Sequence, residues 1–370
     1  MSLFQIDAGR EWRGGQRQAL FLARELQKSG WPFTFVVQPD SPLHERAAAD
    51  GLPVLPLRIK SETDVFAALR LARAMRRGGC RLAHFHDAHS VAVGGLACDR
   101  ARVPIRVISR RVDFPLKTNA LSRRKYTRNV DGIIAISEGV KDVLIQGGIA
   151  PEAIDVVPSG IDFSPFENVA ERDLLRKEFG FAPDDFLVGI VAALEDHKGH
   201  IYLLDAAKIL KGKARKVKIV IVGTGSLEME LDQKARALGL TSLVFFLGFR
   251  DDVPRILASL DLFVMSSHLE GLNTSILDAM ASRLPVVATQ VGGIPEVVIH
   301  GETGLLVAPR NSEALAQAIL DVYRDPALAR RLGERGYEVV HEKFSSEAMA
   351  RRIIAVYERI AARKGVNLRG

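Results

Sequence analysis

The sequence predicts an α/β protein with two doubly wound parallel sheets, each covered by crossover helices. Short β-branched runs alternate with longer amphipathic stretches, and they do so in both halves of the chain. The halves are separated near residues 158–170 by VVPSGIDFSPFENVAERD, whose Pro, Ser and Gly content is typical of a domain joint. Since no short-period repeat is present, we expect two similar α/β units of different sequence.

In the first half, the helix QRQALFLARELQKSG has apolar residues at helical spacing and ends at Gly30, a typical helix stop. The runs of β-branched and other apolar residues around it predict strands at LFQID, FTFVV, LPVLPL, LAHFH, IRVIS, GIIAIS and IDVVP.

The second half has the same alternation. Its predicted strands are FLVGIVAAL, KIVIVG, LVFFLGF, DLFVMSS, PVVATQ and GLLVAP, and the helices between them are YLLDAAKIL, EMELDQKARALG and EALAQAILDVY. The chain ends in SSEAMARRIIAVYERIAARKG, an amphipathic basic helix that could cap either unit.

Composition favours a well-packed cytoplasmic protein. Of the 370 residues, 47% are hydrophobic and 26% are charged, and no apolar run approaches the roughly 18 residues of a membrane-spanning helix. The N-terminal stretch lacks the basic and apolar regions of a secretory signal. Cys80 and Cys98 have neither metal-ligand nor disulfide-framework spacing, so reduced thiols are expected.

The net charge of +7 comes entirely from the first half of the chain. Residues 1–165 carry 24 Lys and Arg against 17 Asp and Glu, whereas residues 166–370 carry 27 of each. This asymmetry suggests an anionic partner for the first half, such as a phosphate, an acidic glycan or a membrane surface. A solvated basic surface is the alternative explanation.

Candidate site residues follow from the rule that ligands of open parallel sheets bind where strands end and helices begin. Gly14 and Gly15 stand just before the first helix, where paired glycines let N–H groups approach an anion; a plain turn is the alternative. Lys198 opens another helix and suits a phosphate, or is a surface lysine. Gly223 and Gly225 hint at a dinucleotide fingerprint, but its third glycine and its ribose-binding acid are missing, which disfavours a nicotinamide cofactor.

The stretch HLEGLNTSILDAMA carries two acids, Glu270 and Asp278, between two predicted strands. Glu270 is expected in a turn, and Asp278 in the second turn of the following helix. Both carboxylates can accept hydrogen bonds from hydroxyl groups, while backbone amides can donate to phosphate oxygens; these amides belong to Gly271, Leu272, Asn273 and Thr274. This arrangement suits a ligand with hydroxyls at both ends and a diphosphate in the middle, which describes a nucleotide sugar.

The segment HLEGLNTSILDAMASRLPVVATQVGGIPEVVIHGETGLLV resembles the carboxyl-terminal signature of retaining GT-B glycosyltransferases of the family 4 group. LGFRDDVPRILASLDLFV, VVPSGID, LEDHKG and WRGG are similar to further blocks of that family. The resemblance implies two Rossmann-like domains that face each other across a cleft. Residues 1–165 would form the acceptor side and residues 166–347 the donor-binding side, with a final helix, from about 348 to 370, that crosses back to the first domain.

The resemblance also implies roles for single residues. Glu270 would contact hydroxyls of the transferred sugar, Asp278 the ribose and Lys198 the diphosphate. Gly14 and Gly15 would let the backbone of the first domain close over the phosphates and the acceptor.

Further donor contacts are expected from Arg250 and Asp252, which match positions that line the base, and from Gly223. The resembled family works without a metal ion and takes a UDP- or GDP-linked sugar as its co-substrate. No metal site and no other cofactor are therefore expected.

Three positions depart from the family pattern. Asp278 replaces a Glu, Ala193 stands where an Arg commonly precedes the phosphate-binding Lys, and Arg110 stands where many members have a His. Arginine stays protonated and cannot act as a general base. Arg110 or the adjacent Arg111 is therefore interpreted as a clamp for a phosphate or the acceptor, or else as part of a structural ion pair.

Three histidines cluster in LAHFHDAHS at a predicted strand end. His86 is the candidate substrate contact and joins Glu270, Lys198 and Arg110 in the expected catalytic set. A metal site formed with His84 and His89 is disfavoured, because no carboxylate–histidine set elsewhere completes it.

The resemblance implies a retaining, metal-independent hexosyltransferase that modifies a glycan or lipid-linked acceptor in cell-envelope glycan or lipopolysaccharide biosynthesis. The basic amphipathic segment FPLKTNALSRRKYTRN suggests peripheral contact with an anionic membrane, or simply a solvated face. A nucleotide-sugar epimerase or hydrolase, and a non-catalytic nucleotide-sugar sensor, are the alternatives on the same fold. No nucleic-acid partner is expected.

Overall fold

The computed structural model describes residues 2–112 and 126–368, which form two compact α/β units. Unit 1 contains the chain up to Gly160 and the chain from Ser346 onward, and unit 2 is Ile161–Ser345. Each unit has one parallel sheet, so the predicted pair of doubly wound sheets is confirmed. Residues 113–125, which include most of the segment expected at a membrane, lie outside the described chain.

The sheet of unit 1 has the strand order β3-β2-β1-β4-β5-β6-β7, and all its neighbours pair in parallel. Its strands are β1 Ser2–Asp7, β2 Phe33–Val37, β3 Val54–Pro56, β4 Cys80–Phe85, β5 Ile105–Arg110, β6 Gly132–Ala135 and β7 Ile154–Val156. Its described helices are α1 Gly14–Lys28, α2 Pro42–Ala49, α3 Val65–Arg77, α4 Ala88–Ala101, α5 Glu138–Gln146 and the final helix, Ser346–Lys364.

The final helix belongs to unit 1 because its apolar stripe completes the core of that unit. Met349, Ile353 and Tyr357 are at most 2% exposed and cluster with buried residues of β4, β5 and α1. Gly132 makes room for the helix on β6, since an added Cβ there would lie 2.6 Å from Ile360 Cδ1. No described helix meets the length and hydropathy that spanning a bilayer requires.

Unit 2 has the strand order β10-β9-β8-β11-β12-β13, again parallel throughout. Its strands are β8 Phe186–Val191, β9 Val217–Val222, β10 Val244–Gly248, β11 Leu262–Met265, β12 Val286–Thr289 and β13 Leu305–Val307. Its helices are α6 Leu174–Phe179, α7 His200–Lys211, α8 Glu228–Ala237, α9 Val253–Ala258, α10 Thr274–Ala281, α11 Ser312–Arg324 and α12 Pro326–Lys343, which makes the final helix of unit 1 α13.

The structure shifts two predicted boundaries that matter for the candidate site. Helix α1 starts at Gly14, so the paired glycines are its first residues and not a turn before it. Strand β8 ends at Val191, whereas FLVGIVAAL was predicted as one strand. Beyond β8, the carbonyl oxygens of Ala192 and Leu194 pack closely against Gly223 and Gly225, which follow β9.

Candidate functional site

The turn between β11 and α10 is the centre of the candidate site in unit 2. Ser267 lies just beyond β11, where its carbonyl oxygen accepts a 2.5 Å hydrogen bond from Thr289 Oγ1 at the end of β12. Asn273 caps α10, since its Oδ1 accepts a hydrogen bond from the backbone N–H of Ile276 at 3.1 Å. Glu270 lies between these anchors, so the carboxyl edge of the sheet fixes its backbone.

Glu270 is only 9% exposed, and three side chains donate to its Oε2. These donors are Lys198 Nζ at 2.5 Å, Asn273 Nδ2 at 2.8 Å and Ser267 Oγ at 3.3 Å. All three donors bind Oε2, and no hydrogen bond joins Oε1 to a residue of the described chain. One carboxylate oxygen is thus saturated by the protein, and the other is available to a ligand hydroxyl.

Lys198 reaches Glu270 because two turns of unit 2 are pressed together. Lys198 ends a short 3₁₀ helix, Asp196–Lys198, and Gly199 follows with a φ of +66°. A Cβ on Gly199 would overlap the carbonyl oxygen of Ser266, so a glycine is required at this contact. Ser266 Oγ also donates to the Lys198 carbonyl oxygen at 3.2 Å.

The Lys198–Glu270 ion pair is largely desolvated, with side-chain exposures of 16% and 10%. Removing one partner would leave the other charge partly buried without its counter-ion. The sequence predicted each residue as a ligand contact but did not predict that they would contact each other.

Asp278 lies in the second turn of α10 and is 3% exposed, so it is more buried than Glu270. The turn after β12 packs against the segment between the two acids. Gly293 donates its backbone N–H to the carbonyl oxygens of Gly271 and Glu270, at 3.0 and 3.3 Å. Leu272 is buried, and Thr274 is the first residue of α10.

Gly223 has a packing role that the sequence prediction missed. Its φ is +136°, and a Cβ there would overlap the carbonyl oxygen of Ala192; a Cβ on Gly225 would lie 2.5 Å from the carbonyl oxygen of Leu194. These glycines let the loop after β9 pack against the loop after β8. The glycine pattern is therefore explained without a bound dinucleotide.

Arg250 and Asp252 bind each other after β10. Arg250 donates from Nε and Nη2 to the two carboxylate oxygens of Asp252, both at 2.8 Å, and from Nη1 to Glu178 at 2.7 Å. These hydrogen bonds lower the pKa of Asp252 and raise the pKa of Arg250. The pair is a rigid, ionised element at the end of its strand.

In unit 1, His86, the expected substrate contact, is part of a buried polar network. Its ring is 5% exposed, Nδ1 accepts from Arg111 Nη2 at 3.1 Å, and Nε2 donates to Gln5 Oε1 at 3.1 Å. Burial lowers the pKa of His86 well below its ordinary value, so the ring is neutral. Both ring nitrogens are engaged inside unit 1, and His86 holds the guanidinium of Arg111.

The other residues of LAHFHDAHS also have separate locations. His84 bonds to Tyr357 Oη at 2.6 Å and Ser109 Oγ at 2.8 Å, whereas the side chain of His89 is 57% exposed. The described residues contain no group of three or more His, Cys, Asp or Glu with metal-site geometry.

The two arginines after β5 behave differently. Arg110 donates from Nη1 to Tyr126 Oη at 3.2 Å and lies over the Tyr126 ring. Arg111 is partly buried in unit 1, where desolvation lowers the pKa of its guanidinium to about 10, and its Cδ would be 3.6 Å from a Cβ on Gly15. Of the two, Arg111 is the one beside the start of α1.

Asp7, which the sequence analysis did not single out, is the buried acid nearest to this network. It ends β1, is 1% exposed, and accepts hydrogen bonds from the N–H of Gly9 at 2.8 Å and from Gln16 Nε2 at 3.1 Å. Burial, followed by the charge of Asp87, raises its pKa to about 6. The sequence signal for this residue was an acid at the end of the predicted strand LFQID, where ligands of parallel sheets bind.

Two family descriptions match this chain, one for each part. The "Glycosyltransferase Family 4" description matches residues 12–164, and "Glycosyl transferases group 1" matches residues 171–339. The 2-deoxystreptamine glucosyltransferase of Streptomyces kanamyceticus is 30% identical over 274 residues, which cover 72% of this chain and 70% of that protein. The chain belongs to the family 4 glycosyltransferases.

This glycosyltransferase is also similar to the lipopolysaccharide core biosynthesis glycosyltransferase LpsE of Rhizobium meliloti, at 33% identity over 65% of this chain and 66% of LpsE. In six such relatives the aligned part spans between 47% and 70% of the relative's own length. The resemblance noted in the sequence is thus confirmed at the level of the family.

Solved structures show the GT-B fold of this glycosyltransferase. Anabaena HepE in complex with UDP-glucose has a TM-score of 0.87 at 23% identity, covering 97% of this chain and all of that one. Sucrose-phosphate synthase from Thermosynechococcus elongatus has a TM-score of 0.80 at 20% identity, with 98% of this chain covered.

Proposed function

We propose that this glycosyltransferase transfers a sugar from a nucleoside-diphosphate sugar to an acceptor hydroxyl with retention at the anomeric carbon. The observation that carries the proposal is Glu270, whose Oε2 is held by Lys198, Asn273 and Ser267 while Oε1 stays available. Structures of HepE hold UDP and UDP-glucose. UDP-glucose is therefore the donor to test first.

In this mechanism the donor binds to unit 2, and Lys198 is the cation for its diphosphate. Without ligand, its ammonium is neutralised by Glu270 at 2.5 Å. A bound diphosphate shares that ammonium, and the saturated Oε2 keeps Glu270 from turning away. Glu270 Oε1 then accepts a hydrogen bond from a hydroxyl of the transferred sugar.

The chemical step breaks the bond between the anomeric carbon and the diphosphate oxygen and forms the bond to the acceptor oxygen on the same face. The acceptor proton moves to the departing phosphate, so no protein general base is required. Lys198 stabilises the developing negative charge, together with the amides at the start of α10 from Gly271 to Thr274.

The remaining donor contacts follow the same scheme. Asp278 accepts from the ribose hydroxyls, and because it is 3% exposed the ribose must approach α10 closely or bind through a water. The Arg250–Asp252 pair lies beside the base. Gly14 and Gly15, in the first turn of α1, present backbone N–H groups to the acceptor.

We assign the product to cell-envelope glycan or lipopolysaccharide biosynthesis. The support comes from relatives: LpsE, and the capsular polysaccharide biosynthesis glycosyltransferase CapM of Staphylococcus aureus, 30% identical over 61% of this chain. The acceptor is accordingly a glycan or a lipid-linked glycan.

Peripheral membrane contact is supported by helix α3 of unit 1. Val65, Phe66 and Leu69 are 55%, 78% and 42% exposed at its start. The helix continues with exposed arginines that form no salt bridge within the described chain: Arg70, Arg73, Arg76 and Arg77. Exposed apolar side chains next to arginines fit an anionic lipid surface.

Co-sedimentation with vesicles of phosphatidylglycerol and phosphatidylcholine tests this contact. Phe66→Ser/Leu69→Ser should lose binding, whereas Phe249→Ser, which removes a ring that is 65% exposed in unit 2, should bind like the wild type. Equal binding by all three proteins would reject the membrane assignment.

Release of UDP from UDP-glucose, with and without an acceptor extract, tests the proposed transfer. Acceptor-dependent release supports transfer, whereas acceptor-independent release supports a hydrolase. UDP binding without turnover supports a sensor, and either of the last two results would overturn the proposal.

A further inference from the structure

The carboxyl edge of the unit 1 sheet contains two adjoining cavities that have no role so far. Each has a volume of about 370 Å³, and they share Arg10, Gln38 and Lys60. That volume lies within the range of roughly 300–1,000 Å³ typical of small-ligand sites. They occur where β1, β2 and β4 end, which is the ligand-binding edge of a parallel sheet.

The walls of these cavities carry four cations, two of which form no salt bridge with a described residue. Arg13 is paired with Glu11, and Arg58 lies 3.6 Å from Asp40. Arg10 and Lys60 form no salt bridge with any described residue. The third acid of the lining, Asp87, is occupied as the cap of α4, where it accepts from the N–H groups of His89 and Ser90.

Arg10 is anchored to the backbone segment that carries Lys60. Gln38 is 4% exposed and clamps Ile59, donating to its carbonyl oxygen at 2.6 Å and accepting from its N–H at 3.2 Å. Arg10 Nη2 then donates to the carbonyl oxygens of Ile59 and Lys60, at 3.3 and 3.4 Å. The other N–H groups of Arg10 can donate to a ligand in the cavities that Lys60 also lines.

We propose that these cavities bind the acceptor, and that this acceptor carries a phosphate or carboxylate group which Arg10 and Lys60 contact. The proposal rests on the proposed function, because it assigns unit 1 to the acceptor of that reaction. The chemistry favours an anion: a backbone-anchored arginine and a lysine line the same concave surface, and neither forms a salt bridge with a described residue, so the surface selects negative charge. The reaction that supplies this acceptor is therefore a phosphorylation, or a step that leaves a carboxylate.

Calorimetry with excess UDP, which occupies the donor site, tests the anion site separately. The probes are glycerol 1-phosphate and uncharged glycerol. The wild type should bind only the phosphate, and Arg10→Gln/Lys60→Gln should weaken that binding about tenfold, the loss expected for charge-assisted hydrogen bonds at an exposed site. Lys60→Gln alone leaves the Arg10 contacts in place and should weaken binding by a smaller factor.

Arg81→Gln is the matched control. It removes the same charge from an exposed position at the amino end of β4, the opposite edge of the same sheet. Equal binding by the control and the double variant, or no phosphate binding by the wild type, would overturn the proposal. UDP binding, measured in the same instrument, reports on the proposed function independently.

Vesicles of phosphatidylcholine and phosphatidic acid distinguish a lipid phosphate from a soluble one. Competition between these vesicles and glycerol 1-phosphate for the same site would identify a lipid-linked acceptor. Undisturbed glycerol 1-phosphate binding would identify a soluble acceptor, and both results keep the anion site.

Discussion

The two units of this glycosyltransferase both place a polar cluster at the carboxyl edge of a parallel sheet, but they use it differently. In unit 2, Glu270 and Lys198 keep side-chain exposures of 10% and 16%. In unit 1, His84 and His86 are 0% and 5% exposed, and their ring nitrogens are engaged inside the protein. The same topology can thus present atoms to a ligand or lock them into the scaffold.

What separates the clusters is the availability of hydrogen-bonding atoms. Glu270 has one oxygen saturated and one unengaged, a geometry that orients a ligand. Arg111 contacts the neutral ring of His86, and the hydrogen bond between His86 and Gln5 fixes the tautomer of that ring. We expect substitutions in the unit 2 cluster to change activity first and those in the unit 1 network to change stability first.

The largest effect is expected from Glu270→Gln. The amide keeps the shape but places an uncharged group beside the Lys198 ammonium and the sugar. We expect transfer to fall by about 10²–10³-fold, as for loss of a preorganised active-site hydrogen bond. The measurement is kcat for UDP release in the presence of acceptor.

Glu302→Gln is the control for this prediction, because Glu302 is also an ion-paired acid of unit 2 but its side chain is 45% exposed, beside Arg335. Its activity should equal that of the wild type. A Glu270→Gln enzyme with normal kcat would contradict the proposed functional difference between the unit 2 cluster and the unit 1 network.

The second prediction concerns the contact that brings Lys198 to Glu270. Gly199→Ala places a Cβ onto the Ser266 carbonyl at a φ of +66°, so we expect a loss of about 2–4 kcal/mol in the free energy of unfolding. Gly180→Ala has the same φ of +66° with nothing within 4 Å. It should therefore cost only about 1 kcal/mol. Urea denaturation measures both, and equal losses would show that the Ser266 contact is unimportant.

The third prediction tests the unit 1 network by pH. Because the folded pKa of Asp7 is raised from 3.8 to about 6, its ionised form opposes folding at neutral pH. The folded state binds the extra proton, so this group adds stability as pH falls through about 6 toward 4. Asp7→Asn should therefore be more stable than the wild type by about 1–3 kcal/mol at pH 7–8, with a difference that vanishes near pH 4.

His84 and His86 change the stability in the opposite direction, since their lowered pKa values make folding less favourable as pH falls below 6.5. Both histidines are present in the wild type and in Asp7→Asn, so their contributions cancel in the difference. Denaturation at several pH values measures the stability difference between Asp7→Asn and the wild type. The control is Asp40→Asn, because the side chain of Asp40 is 83% exposed. A pH-independent difference would contradict the prediction.

The smallest stability effect is expected at Gly15. A Cβ there meets only Arg111 Cδ at an ordinary 3.6 Å, and the residue lies in the first turn of α1. Gly15→Ala should stabilise the protein by about 0.5 kcal/mol through helix propensity. If this turn of α1 admits the acceptor, KM for the acceptor should nevertheless rise. An unchanged KM would confine Gly15 to a structural role.

The sequence was sufficient for the fold because each α/β unit repeats a pattern that periodicity reveals, as in DLFVMSS for β11 and TSILDAMA for α10. It also located Glu270 and Lys198 separately. Their ion pair was not predictable, because it depends on Gly199 packing against Ser266, a contact between residues far apart in the chain.

His86 and Gly223 show what the sequence could not predict. Their positions at strand ends fit ligand contacts, but the side chain of His86 is buried and Gly223 is required by the loop after β8. Residue type and position at a strand end do not say whether an atom faces solvent or the core, since that depends on tertiary packing.

The way the final helix completes unit 1 has a consequence for how the protein is made. Met349, Ile353 and Tyr357 belong to the same core as residues from β1 to β6, so about 185 intervening residues are synthesised before that core can close. On the ribosome, unit 2 emerges whole and can fold first, whereas the N-terminal part waits with an incomplete interior. During that interval its exposed apolar surface makes the N-terminal part prone to aggregation.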